Sequence, residues 1–173
     1  MLGLPGGAYL YQGQELGLPE VDVPEAARQD PMWARAGISR DGCRVPVPWR
    51  RDPAGAFGFS ARTDAVPWLP VPDGWGALSV EAAEADPAST LHLCRAALAL
   101  RRRLHEAGVL AADDDVAWSV DGGGLVARRG RFALVVAMGD EPVPLPAGEV
   151  LLASATPVAS TLPPDAAAWV LAD

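Results

Sequence analysis

Three spacings of apolar residues divide this chain. Near its start, Ala8-Tyr9-Leu10-Tyr11 is a short apolar run between glycines, closed by Gln12. Its size and its Tyr and Leu content suit a buried strand over Gly7–Gln12. Polar residues follow at once at its C-terminal end, where barrels of parallel strands carry active-site groups. Before it, Met1–Gly6 reads as the last turn of a helix with a Gly/Pro stop. From residue 86 the spacing becomes helical, with Leu93, Ala97, Leu100 and Leu104 on one face. Asp86 reads as the cap, Pro87 as a first-turn residue and Gly108 as the stop. Arg101, Arg102 and Arg103 lie toward the helix C-terminus, where the dipole favours cations. Beyond Val109 the pattern shortens again. Strands are expected over 116–120, 125–129, 131–138, 149–153 and 167–171, with a turn at 121–124. Short strands with Gly/Pro turns point to an antiparallel sheet or sandwich.

Between these regions, residues 18–87 hold no persistent helical or strand period. They carry ten of the seventeen prolines and four of the six tryptophans, Trp33, Trp49, Trp68 and Trp75. A loop of this length is usually functional or disordered, and the tryptophans argue against disorder. A short helix is expected within Pro24–Ala36, with Pro24 near its first position.

Composition narrows the classes. The formal charge is -8 and the pI near 4.7, which argues against nucleic acid or an anionic membrane as partner. All fourteen basic residues are Arg, with no Lys and no Asn, which reads as the bias of a GC-rich genome. Without Asn there is no N-glycosylation site. No apolar run approaches the ~20 residues of a membrane span, and no secretory leader with a basic start is evident. Cys43 and Cys94 are too few and too far apart for a disulfide framework or a zinc site. Two reduced thiols in a cytoplasmic protein is the plain reading. There is no phosphate-cradling glycine loop, no His-Glu-x-x-His and no Cys-x-x-Cys, so no cofactor and no metal is expected.

Two motifs carry more. The first is Tyr9-Leu10-Tyr11-Gln12-Gly13-Gln14-Glu15-Leu16-Gly17. The second is Arg40-Asp41-Gly42-Cys43-Arg44-Val45-Pro46-Val47-Pro48-Trp49. In order and separation they resemble the α-glucosidase and oligo-1,6-glucosidase branch of glycoside hydrolase family 13, the α-amylase superfamily. There the first motif lies on the eighth strand of a (β/α)₈ barrel and the second in the loop beyond it. The resemblance implies an α/β plus all-β fold. Residues 1–108 would be the end of the catalytic TIM barrel, with strand eight, a long loop and helix eight. Residues 109–173 would be a small antiparallel β domain without chemistry.

A whole (β/α)₈ barrel needs about 250 residues, so 173 residues cannot contain one. A strand at Gly7–Gln12 would have no neighbour to pair with here, which leads us to expect a truncated product or an incomplete sequence lacking the N-terminal barrel. The resemblance implies that the complete enzyme hydrolyses terminal α-glucosidic bonds of short oligosaccharides with retention. Two alternatives stand beside it: a related glucosyl transferase or isomerase, and a non-catalytic carbohydrate-interaction remnant.

Retaining glycosidases need two carboxyl groups about 5 Å apart. In the family these sit on strands four and five, with a third, sugar-binding carboxylate on strand seven. None of these strands is expected here, so no catalytic residue is assigned, and Glu15, Asp30 and Asp41 are read as structural, each anchoring a loop or lying on a solvated face. Arg40 is the substrate-binding candidate, because in the family the first Arg of the second motif reaches the subsite for the non-reducing glucose. A guanidinium is a fixed fork of donors that stays charged, and it keeps a nearby nucleophile ionised. The competing reading pairs Arg40 with Asp41 or Glu15. Arg44 is expected to brace the loop and Asp41 to orient an arginine. Tyr9, Tyr11 and Gln12 are read as barrel packing. Trp49 either stacks on a sugar or pins the Pro-rich loop to the barrel. His92 and His105 read as surface or capping residues. Gln14 stands where the family often has Glu.

Overall fold

The structure is a computed structural model that describes residues 1–111, 115–121 and 123–172. It forms two compact units, one of residues 1–9 and 95–173 and the other of residues 10–94.

The first unit is built on a five-stranded antiparallel sheet. Its strands are β1 (Ala117–Asp121), β2 (Gly124–Arg129), β3 (Phe132–Ala137), β7 (Ala167–Leu171) and β5 (Glu149–Ala153), in that spatial order. A second pair, β4 (Val143–Pro144) with β6 (Thr161–Leu162), forms a short ribbon. The five strands expected from the sequence all form. The two-residue strands β4 and β6 do not announce themselves, because two residues set no period. Gly122 of the expected turn lies outside the described residues.

The register explains why the central strand β3 is almost wholly apolar. Leu134 faces Ala127 on one side and Trp169 on the other. Successive residues then alternate between two covered faces. Phe132, Leu134, Ala127 and Trp169 pack with Ala97, Leu100 and Leu104 of the long helix α4 (Thr90–Glu106) and with Leu110. Val135, Ala137 and Ala168 pack with Val143 and Leu162 of the ribbon. Phe132 and Trp169 meet edge-on, with centroids 5.6 Å apart and planes at 77°, a favoured aromatic arrangement.

Helix α4 ends as its sequence requires. Gly108 adopts φ +70. Its N–H donates to the carbonyl of His105, and the Val109 N–H to that of Leu104. This pair of bonds is a Schellman cap, which needs a left-handed residue that glycine supplies without strain. The start of α4 differs from the expectation. Val80–Ala85 forms a separate helix, α3, whose N-cap Ser79 accepts the Ala82 N–H at 3.2 Å. Asp86 ends α3 in an extended conformation, the conformation that a following proline favours. Ser89 then lies before the first residue of α4 and accepts the His92 N–H at 3.4 Å.

Gly7–Gln12 is not a strand. It is irregular chain, with Tyr9 86 % exposed and Tyr11 47 %. A strand exists only as part of a ladder, and no described strand lies beside it. Tyr9, Tyr11 and Gln12 therefore stand exposed instead of packed. Met1–Gly6 makes a turn, closed by the Leu4 N–H on the Met1 carbonyl. Arg101 does more than complement a helix dipole. Its guanidinium donates to the carbonyls of Leu2, Leu4 and Gly6 and ties that segment to α4.

The second unit is mostly irregular, yet it has its own core of Val23, Val45, Phe57, Leu69 and Trp75. Within Pro24–Ala36 two short elements form, a 3-10 turn at Glu25–Ala27 and the helix α1 (Met32–Ala36). The five-residue turn α2 (Ala54–Gly58) is left-handed at Gly55, Ala56 and Phe57. Left-handed geometry is costly for residues with a Cβ. Burial of Phe57 and acceptance by its carbonyl of the Trp49 and Arg50 N–H groups, both at 2.8 Å, offset it. The Pro-rich loop is pinned by backbone, not by the ring of Trp49, which is 52 % exposed. The Val80 N–H donates to the Pro48 carbonyl, and the Glu81 N–H to that of Trp49. No described helix is long and apolar enough to cross a membrane.

Replacing Phe132, which has no solvent exposure, by Ala should cost about 3–5 kcal/mol in urea unfolding of this chain. Met138→Ala, at 61 % exposed, should stay within about 0.5 kcal/mol. Equal effects of the two would show that the sheet core lies elsewhere.

Candidate functional site

The second sequence motif folds around a buried carboxylate. Asp41 is 1 % exposed, and such a group must be fully hydrogen-bonded. Its Oδ2 accepts the Gln29 N–H at 2.9 Å, the Asp30 N–H at 3.0 Å and the Trp33 indole N–H at 2.9 Å. Its own N–H donates to Ser39 Oγ at 2.8 Å. The Arg28 guanidinium lies over the Trp33 ring, 3.9 Å from the centroid. Burial pushes the Asp41 carboxyl up, but the donors from Asp30, Gln29, Trp33 and Ser39 outweigh it and bring it from 3.8 down to about 2. The neighbouring Gly42 is required for space. A Cβ there would collide with the Val21 carbonyl, and the Val21 N–H donates to Gly42 O at 3.1 Å.

Asp30 is the second buried carboxylate, at 7 % exposed. Its Oδ1 accepts the Met32 N–H at 3.0 Å, the Asx turn that opens α1. Its Oδ2 takes the arginines: Arg40 Nε and Arg44 Nη1 each lie 3.5 Å away. The Arg40 N–H reaches the same oxygen at 3.5 Å. The Met32 N–H holds the Asp30 carboxyl below its usual value; burial works against this, and Arg40 and Arg44 reinforce it.

Arg40 is thus tethered at one point and otherwise open, with its side chain 68 % exposed. Its partner is Asp30, not Asp41 or Glu15. Arg44 does brace the loop, through the same Asp30. Asp41 orients backbone and an indole, not an arginine. Glu15 anchors its own loop by accepting the Gly13 N–H at 2.9 Å. Gln14 does the same for the Tyr11 N–H at 2.9 Å, a bond that an amide oxygen makes as well as a carboxylate. His92 Nε2 lies 3.3 Å from the Glu84 carbonyl, and His105 is exposed. Cys43 is exposed, with its Sγ 3.2 Å from the Arg40 carbonyl. Among the described residues no three His, Cys, Asp or Glu side chains form a metal-binding group.

Beside the carboxylates lies an open cavity of about 400 Å³ lined by Asp30, Asp41, Arg44, Phe59, Trp68 and Leu69, among others. Trp68 is 84 % exposed. Sequence reasoning missed Asp30 as the hub and Trp33 as a donor. One signal for Asp30 was available, because Asp-Pro before a helical run is a turn-and-cap signature.

The lowered Asp41 value gives a signed pH dependence. Its contribution to stability is complete above its ordinary value of 3.8 and is lost as pH falls through about 2. Asp41→Asn should remove that component. Urea midpoints measured between about pH 5 and pH 2 should converge for the two proteins as pH falls. Parallel curves would show that Asp41 is not the titrating anchor.

Against known proteins, the catalytic-domain profile of the alpha-amylase family matches residues 1–108. A probable alpha-glucosidase of Rhizobium meliloti is 38% identical over 105 residues, covering 59% of this chain and 18% of that protein. The oligo-1,6-glucosidase of Parageobacillus thermoglucosidasius is 30% identical over 121 residues, covering 58% of this chain and 21% of its own length. Among solved structures, an alpha-glucosyl transfer enzyme, XgtA, superposes with a TM-score of 0.71 at 29% identity, over 95% of this chain and 32% of that one. The chain therefore spans about a fifth of the curated relatives it matches. With the catalytic-domain profile covering more than half of its residues, this chain belongs to the alpha-amylase family, glycoside hydrolase family 13.

Proposed function

We propose that this chain is the C-terminal part of a retaining α-glucosidase that acts on terminal α-glucosidic bonds of short oligosaccharides. In this reading residues 1–108 complete the catalytic barrel and residues 109–173 are its small β domain. The observation that carries the reading is Arg40. It sits on the Arg-Asp-Gly loop, tethered through Nε, with its two terminal nitrogens left for a ligand. The likeness to an alpha-glucosidase at 38% identity supports the same conclusion.

The chemistry divides between this chain and the rest of the enzyme. The nucleophile and the acid/base lie outside these residues, on barrel strands that the chain does not contain. Arg40 contributes a permanent positive charge and a planar donor fork. It holds hydroxyls of the terminal glucose and favours the ionised form of the nucleophile. The Asp41 cage and the Gly42 contact hold the loop that presents it. Both cysteines are unbridged, which fits action in a reducing cytoplasm. A second reading keeps the same glucosyl chemistry but transfers the sugar to another sugar instead of water. The 29% identity to an alpha-glucosyl transfer enzyme favours keeping it.

In the complete enzyme, Arg40→Ala should lower kcat/KM on maltose or an aryl α-glucoside by at least about tenfold without loss of fold. Near-normal kinetics would remove Arg40 from the sugar site. The 173-residue chain alone should hydrolyse no α-glucoside. Hydrolysis that scales with the concentration of purified chain would place catalytic carboxylates within it. Product analysis of the complete enzyme with maltose separates glucose release from formation of new disaccharides.

A further inference from the structure

The Arg40–Asp30 geometry has the form of a positioning device. Asp30 cannot turn freely, because its Oδ1 is committed to the Met32 N–H at 3.0 Å and its backbone N–H to Asp41 Oδ2 at 3.0 Å. Its side chain is 3 % exposed, whereas that of Arg40 is 68 % exposed. The other oxygen, Oδ2, is therefore a fixed anion at the base of a mobile cation. Its closest approach to Arg40 is at Nε, the inner nitrogen, at 3.5 Å. An arginine bound this way loses rotational freedom but keeps both terminal amino groups for a bidentate ligand. Among the described residues, no hydrogen bond engages those terminal groups. Arg44 shares the same oxygen at 3.5 Å, so the carboxylate balances two cations that would otherwise repel each other.

We propose that Asp30 is the positioning residue for Arg40, holding its guanidinium in the orientation that receives the terminal sugar. This rests on the reading of Arg40 as a substrate contact. Asp30 itself touches no substrate. Asp41 acts one step further back, by fixing the backbone of residues 29 and 30.

The test is a double-mutant cycle in the complete enzyme with an aryl α-glucoside. Asp30→Asn keeps an oxygen for the Met32 N–H and removes the anion. It should raise KM about three- to fivefold, the range that a half-exposed ion pair supports, with kcat within about twofold. In an Arg40→Ala background the same change should have no further effect. Asp30→Glu, which keeps the charge, should recover part of the loss. If Arg40→Ala lowers kcat/KM but Asp30→Asn is silent, or costs as much with Arg40 absent, the positioning role is wrong and the Arg40 reading stands. If Arg40→Ala is itself silent, both fall. If neither Asn nor Glu at position 30 gives folded enzyme by circular dichroism, Asp30 is a structural anchor and the proposal is refuted.

Discussion

A carboxylate sealed from water must find donors within the protein, and Asp41 finds them in the chain that runs from Gln29 to Ser39. The second unit depends on this constraint. Residues 10–94 contain no described strand ladder, and isolated backbone bonds such as Val21 N–H to Gly42 O and Val80 N–H to Pro48 O hold the loop only at points. One buried anion does much of that work instead. Its bonds gather two backbone amides and an indole onto a single oxygen. The cost of burying a charge is met by directional donors, which also specify one arrangement of the loop. Apolar packing alone is less particular about geometry.

The two units reach order by different means, and this governs what could be read in advance. The sheet was legible because short apolar runs such as Phe132–Ala137 and Ala167–Leu171 lie between Gly and Pro turns, and because helix and turn signals such as Gly108 act locally. β4 and β6 were too short for a period to show. The boundary between α3 and α4 was misplaced because Asp86 and Pro87 suit either the end of one helix or the start of another. Gly7–Gln12 misled for a deeper reason. Its apolar run states a preference for a ladder, but a ladder needs a second strand, which is not a property of the run itself.

At the site, Arg40 and Arg44 were legible as members of a motif, and Glu15, Asp30 and Asp41 as structural carboxylates, with loop anchoring and a solvated face both open until burial decided for Asp30 and Asp41. The pairing was not. Asp41 stands next to Arg40 in sequence, so it was the natural partner on paper. Arg40 precedes the 3-10 turn Asp41–Cys43, however, and Asp41 is drawn inward by donors 8 to 12 positions away. Asp30, ten positions before Arg40, is then left to receive the guanidinium. Proximity along the chain was outweighed by the requirement to satisfy the more buried anion first.

That exchange of partners bears on function. The carboxylate of Asp30 that Arg40 meets is only 3 % exposed, yet the arginine side chain is 68 % exposed. Pairing with Asp30 keeps Arg40 at the surface while still restraining it at one nitrogen. A guanidinium suits this division, because its charge is delocalised and its donors point along fixed directions; an ammonium offers one point charge with no inner and outer nitrogen. In the proposed role, Arg40 rests on two buried carboxylates in series, Asp41 shaping the loop and Asp30 meeting the cation. Only an arginine at position 40 can be bound at its base and remain available at its tip.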